Sequence, residues 1–139
     1  MAFHPYLAFA GNCRDAFNRY QEIFGGELVL LPMSDMPTDE PVAAEQADLI
    51  MHAALMSGDG LLMGADDPTG EFDGQARGIC VNATAPDVAE AQRVFQALSE
   101  GGEVQMALTE TFFSPGFGMC IDRFGIPWMV NTEQEPASA

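Results

Sequence analysis

The chain repeats itself, and that repeat restricts the folds open to it more than any other feature. Residues 4–31, HPYLAFAGNCRDAFNRYQEIFGGELVLL, read as strand, helix, strand. Residues 77–108, RGICVNATAPDVAEAQRVFQALSEGGEVQMAL, read the same way. In the first copy Asn12 is placed to cap a helix, with Asp15 three residues on in a capping-box position. Cys13, Ala16, Phe17, Tyr20 and Phe24 follow at helical spacing, and Gly25-Gly26 stops the helix. In the second copy Asp87 is the cap, Val88, Ala91, Phe95 and Leu98 form the stripe, and Gly101-Gly102 is the stop. Each copy ends in a hairpin. LIMHAALMSGDGLLMGA (49–65) turns at Asp59-Gly60, and FGMCIDRFGIPWMVN (117–131) turns at Asp122–Gly125. Two βαβββ modules in tandem are therefore expected, at about 1–66 and 76–132 of a single domain. Mobile loops are expected at 34–46 and 66–75, and a frayed tail over 133–139.

Composition narrows the chemistry. Twenty-one acidic residues face five basic ones, for a net charge of −16. All five basic residues are arginines, at 14, 19, 77, 93 and 123. A polyanion would be repelled by that field, so neither nucleic acid nor an anionic membrane is an expected partner. Without lysine there is no Schiff base and no Walker-type phosphate loop. Cys13, Cys80 and Cys120 are odd in number and form no C-x-x-C, so no disulfide framework or zinc knuckle is suggested. Ser57 and Ser114 lack a G-x-S-x-G setting. The N-terminal MAFHPYLAFAG has no basic leader region, and no apolar run reaches membrane-spanning length, which makes a cytoplasmic location the expectation.

The motifs HPYL, GNC, IMHAAL, ETF and DRFGIPWMVN, within the paired modules, resemble the PhnB-like branch of the vicinal oxygen chelate superfamily. That superfamily includes glyoxalases, extradiol dioxygenases and bleomycin-resistance proteins, and this branch often carries the label 3-demethylubiquinone-9 3-methyltransferase. The resemblance covers residues 4–132. It implies an α+β fold in which the modules form a curved mixed sheet with the helices outside, and it implies a homodimer. No glycine-rich loop after a strand is present to hold S-adenosylmethionine, because GNC is a helix cap and GG a helix stop.

In metal-dependent members of the superfamily, ligands come from the first and last strands of each module. By similarity those positions fall near Pro5, Met63, Cys80 and Met129. None is a histidine or carboxylate, so no hard metal and no cofactor is expected there. Strand alternation then assigns the lining of the cup. Leu7 and Phe9 of the first strand are expected in it, with His52, Met56 and Met63 of the first hairpin. Cys80, Asn82, Cys120, Met129 and Asn131 are expected from the second module, with Trp128 turned to the helix side. Such a lining suits a small, mostly apolar organic ligand. His52 is the candidate catalytic residue, as a general base. Two other readings stand beside this one: a metal-dependent lyase or dioxygenase of the glyoxalase type, and a protein that sequesters a cationic antibiotic.

Overall fold

Both copies of the repeat close in the same way. In the first, β1 (Tyr6–Phe9) leads into α1 (Cys13–Phe24) and then β2 (Glu27–Pro32), and the hairpin of β3 (Ile50–Ser57) and β4 (Gly60–Asp66) follows. In the second, β5 (Val81–Ala85), α2 (Val88–Ser99) and β6 (Glu103–Thr109) precede the hairpin of β7 (Phe117–Ile121) and β8 (Pro127–Thr132). The strand orders are β1-β4-β3-β2 and β5-β8-β7-β6, and in each sheet the first strand pairs in parallel with the last. These are two four-stranded mixed sheets, each crossed by one helix. The computed structural model describes residues 1–35 and 42–133, and the chain divides between Gly74 and Gln75 into two compact units. Part of the loop expected at 34–46, and the tail from 134 onward, lie outside the described residues.

The helices run where the apolar spacing places them. Cys13, Ala16, Phe17, Tyr20 and Ile23 are the buried face of α1, and Ala91, Val94, Phe95 and Leu98 that of α2. Asp87 caps α2, its side chain accepting from the Glu90 amide at 2.8 Å. Asn12 does not cap α1. The carboxylate of Asp66, at the far end of β4, does so instead: Oδ1 accepts from the Gly11 and Cys13 amides at 3.0 Å, and Oδ2 from the Ile50 amide at 2.8 Å. Both Gly-Gly stops are required by close approach. A Cβ on Gly26 would stand 2.1 Å from the Met56 carbonyl oxygen, and one on Gly102 the same distance from that of Ile121. Two sheet glycines seat the helix aromatics. The Cβ position of Gly64 lies 2.9 Å from the Phe17 ring, and that of Gly118 lies 2.8 Å from the Phe95 ring.

Candidate functional site

With one face of each sheet under its helix, the other face is where ligand chemistry has room. Alternation divides the residues between the two faces, and burial shows which is which. In the first unit Leu7, Phe9, Ala53, Leu55 and Leu62 are buried with α1. Tyr6, Val29, Leu31 and Met56 are 54%, 43%, 40% and 45% exposed. His52, Ala54 and Met63 are half-buried beside them. Met63 is the register partner of Tyr6 on one side and of Ala54 on the other.

This corrects the expected lining at Leu7 and Phe9. Phe9 meets Phe17 of α1 edge to face at 5.9 Å, so both residues belong to the helix-side core. The run YLAF is apolar at both parities, so its alternation carries no sign. The ring that fits against Phe17 decides it, and Tyr6, with a hydroxyl to solvate, goes outward. Sequence reasoning missed Tyr6. The first hairpin also turns one residue earlier than expected, which slips the pairing by two. Ser57 pairs with Gly60, and Gly58, at φ 55°, begins the loop. A slip of two keeps every side chain on its face, so His52, Met56 and Met63 share the open one.

Tyr6 and His52 form the most chemically specific feature of that face. The phenol oxygen lies 3.0 Å from His52 Nδ1, and the two rings are tilted at 5.7 Å. Desolvation, and secondarily the neighbouring Cys13, push the Tyr6 phenol above its ordinary range. When the ring carries a single proton on Nε2, the phenol O–H donates to Nδ1. In that tautomer His52 offers a ligand an N–H donor. It acts as a base only through Nδ1, once the phenol is displaced.

In the second unit the closing hairpin corrects the register. Gly125 donates to the Asp122 carbonyl at 3.0 Å, Asp122 donates to that of Ile126 at 2.9 Å, and Gly125 sits at φ 88°. This is a three-residue loop with a bulge at the glycine. The Asp122 carboxylate holds it by accepting from the Phe124, Ile126 and Trp128 Nε1 donors. Ile121 consequently pairs with Pro127, one residue later than a four-residue Asp122–Gly125 turn would place it. A slip of one residue exchanges the faces of β7. Cys120 and Gly118 therefore lie on the helix side, with Cys120 fully buried, and Phe117, Met119 and Ile121 take the open face. Trp128 is on the helix side, 2% exposed.

Asn82, Met129 and Asn131 share the open face. Asn82 is in register with Met129 and Thr84 with Asn131, and Asn82 Nδ2 donates to Thr84 Oγ1 at 3.0 Å. Cys80 is half-buried just before β5. Beside this face Phe113 meets Phe117 edge to face at 5.0 Å. The turn that presents Phe113 is pinned by Thr111 Oγ1, which accepts from the Phe113 and Ser114 amides.

Of the positions that match the superfamily's metal ligands, Met63 and Met129 lie on open faces, while Pro5 and Cys80 precede β1 and β5. Two thioethers, a thiol and a proline do not fit a hard divalent ion. Among the described residues no three His, Cys, Asp or Glu side chains gather as a metal site. The two buried thiols are not activated either. Burial, then the nearby Asp66, push Cys13 up to about 12, and burial raises Cys120 as well.

Comparison with known proteins agrees with this geometry. The sequence model of the family described as 3-demethylubiquinone-9 3-methyltransferase matches residues 1–131. The protein YjdN of Escherichia coli K12 is 35% identical, over 98% of this chain and 99% of its own length. The crystal structure of protein PA1353 from Pseudomonas aeruginosa superposes with a TM-score of 0.88 at 43% identity, covering 97% of this chain and 99% of that one. The PhnB protein from Bacillus cereus, described as a 3-demethylubiquinone-9 3-methyltransferase, superposes at 0.74 with 22% identity, over 96% and 100% of the two chains. More distant glyoxalase-related and bleomycin-resistance structures share the fold alone.

Proposed function

The chain belongs to the PhnB-like, 3-demethylubiquinone-9 3-methyltransferase family of the glyoxalase/bleomycin-resistance superfamily, and from that premise we propose that it binds a small, mostly apolar organic molecule without a hard divalent metal. The observation that carries this reading is the Tyr6–His52 pair on an apolar sheet face. The pair is a directional polar group beside the apolar Ala54 and the adaptable side chains of Met56 and Met63. A ligand with an apolar body and one acceptor oxygen, such as a ketone, ether or ester, satisfies both parts. Methyl transfer does not follow from the family name. The Gly11 and Cys13 amides in the β1–α1 turn, where a nucleotide-like cofactor would be met, are already bonded to Asp66.

Native mass spectrometry of gently purified protein, followed by a fragment screen read by NMR, tests the proposal. Carbonyl-bearing apolar fragments should shift the His52 ring and the Met56 and Met63 methyl signals, and His52→Ala should weaken their binding about tenfold, the cost of one good hydrogen bond. Fragments that bind with equal affinity to His52→Ala, or only at surfaces away from these residues, would sink it. Stoichiometric zinc, nickel, manganese or iron, lost in His52→Ala, would replace it with a metal-dependent reaction.

A further inference from the structure

The open face of the second sheet carries three thioethers in one row. Met106 of β6 is the register partner of Met119 of β7, and Met119 is the partner of Met129 of β8. The strands lie side by side in the order β8-β7-β6, so the three residues stand on neighbouring strands at one level, with an irregularity of the β6 ladder on either side of Met106. Met106 is 40% exposed, and Met119 and Met129 are half-buried. Adjacent strands are about 4.8 Å apart, so the outer two backbones are roughly 10 Å apart with Met119 midway. A methionine side chain has three rotatable bonds beyond its backbone, enough for the outer two sulfurs to lean over the middle one.

We propose that Met106, Met119 and Met129 form a site for a soft monovalent cation, with Cu(I) the biological ion and Ag(I) its redox-silent analogue. Thioethers are soft, neutral donors that select Cu(I) over the hard cations this superfamily otherwise uses. They need no deprotonation to bind, so binding releases no proton. A net charge of −16 favours accumulation of any cation at the surface. Three sulfurs drawn together over Met119 would satisfy the trigonal preference of the ion without help from the carboxylates. The Tyr6–His52 pair belongs to the other unit.

Titration with silver nitrate in chloride-free buffer, read by the methyl signals of labelled methionine, tests the proposal. The chain has nine methionines. One equivalent of Ag(I) should shift three methyl signals, those lost in Met106→Leu, Met119→Leu and Met129→Leu. Leucine is close in volume to methionine, so each variant should fold. Removing the central donor in Met119→Leu should lower affinity at least about tenfold, and the triple variant should bind no ion there. Affinity should be the same at pH 5 and pH 8, and it should persist in Cys80→Ser. Anaerobic Cu(I) competition against a chromophoric chelator should give the same order of variants. Undiminished affinity in the triple variant overturns the proposal. So does binding that disappears with Cys80→Ser and weakens on acidification, which would make Cys80 the ligand.

Discussion

Two buried aspartates hold the chain together, Asp66 across long sequence separations and Asp122 within its own hairpin. Asp66 joins the end of β4 to the start of α1 and the start of β3, and Asp122 closes the last hairpin onto Trp128. Each carboxylate accepts three N–H donors, and an amide in its place turns one acceptor into a donor. Asp122→Asn should cost about 1–3 kcal/mol in urea melts, and Asp66→Asn a similar amount, because each leaves a buried N–H unpaired or opposed. The role of Asp66 is not legible in the sequence, because its partners are 16 and more residues away, whereas those of Asp122 lie within its own hairpin. Cys13 makes a pH prediction. In the folded chain burial pushes its thiol up to about 12, whereas an unfolded thiol ionises near the ordinary 9.0. The stability it contributes is fully present below pH 9 and is lost as pH rises toward 12, by as much as ~1.4 kcal/mol per pH unit. Urea midpoints measured from pH 8 to 11 should fall more gently for Cys13→Ala than for the native chain. For the same reason iodoacetamide should modify Cys80 alone before unfolding.

At the scale of elements, each helix rests one aromatic on a glycine in the sheet beneath it, Phe17 on Gly64 and Phe95 on Gly118. Gly64→Ala would press a methyl group against the Phe17 ring and the Leu7 carbonyl, and Gly118→Ala against the Phe95 ring and the Leu108 backbone. Each should cost about 1–3 kcal/mol by overpacking, checked by thermal melts, because the opposing atoms include backbone that does not yield. What could be read in advance divides along the same lines. Both helices, the Asp87 cap, the Gly-Gly stops and the paired modules were legible, since period, cap and stop are local signals. The faces of β3 and β4 were legible as well, because an error of two residues preserves parity. The faces of β1 and β7 were not. YLAF has no polar residue to sign its alternation, and the odd-numbered loop at Asp122–Ile126 shifts the pairing of β7 by one. The same shift brings Met119 onto the open face, so the row of thioethers could not be seen before the register was known.

For the whole molecule, charge and uncovered apolar surface pull in opposite directions. Val29, Leu31, Val104 and Phe112 are each at least 40% exposed, and the edge strands β2 and β6 are unpaired on one side among the described residues. Such surface favours a symmetric homodimer. The partner would bring a second charge of −16. Light scattering should therefore give about 30 kDa, twice the 14.9 kDa of one chain, and the dimer should tighten as salt rises and screens the repulsion. A mass near one chain at micromolar concentration and high salt would exclude it. No helix among the described residues is long and apolar enough to cross a membrane.

The chain also labels its own halves. Its single tryptophan, Trp128, is buried in the second unit, and its two tyrosines, Tyr6 and Tyr20, are in the first. Tryptophan emission therefore reports the second half by itself. Tyr20 is fully buried against Phe17, and Tyr6 leans on His52, so tyrosine absorbance reports the first half. Each half has its own dye, already in place and needing no engineered probe. Any disturbance, whether a denaturant, a bound fragment or a silver ion, writes its address in the colour of the signal that moves.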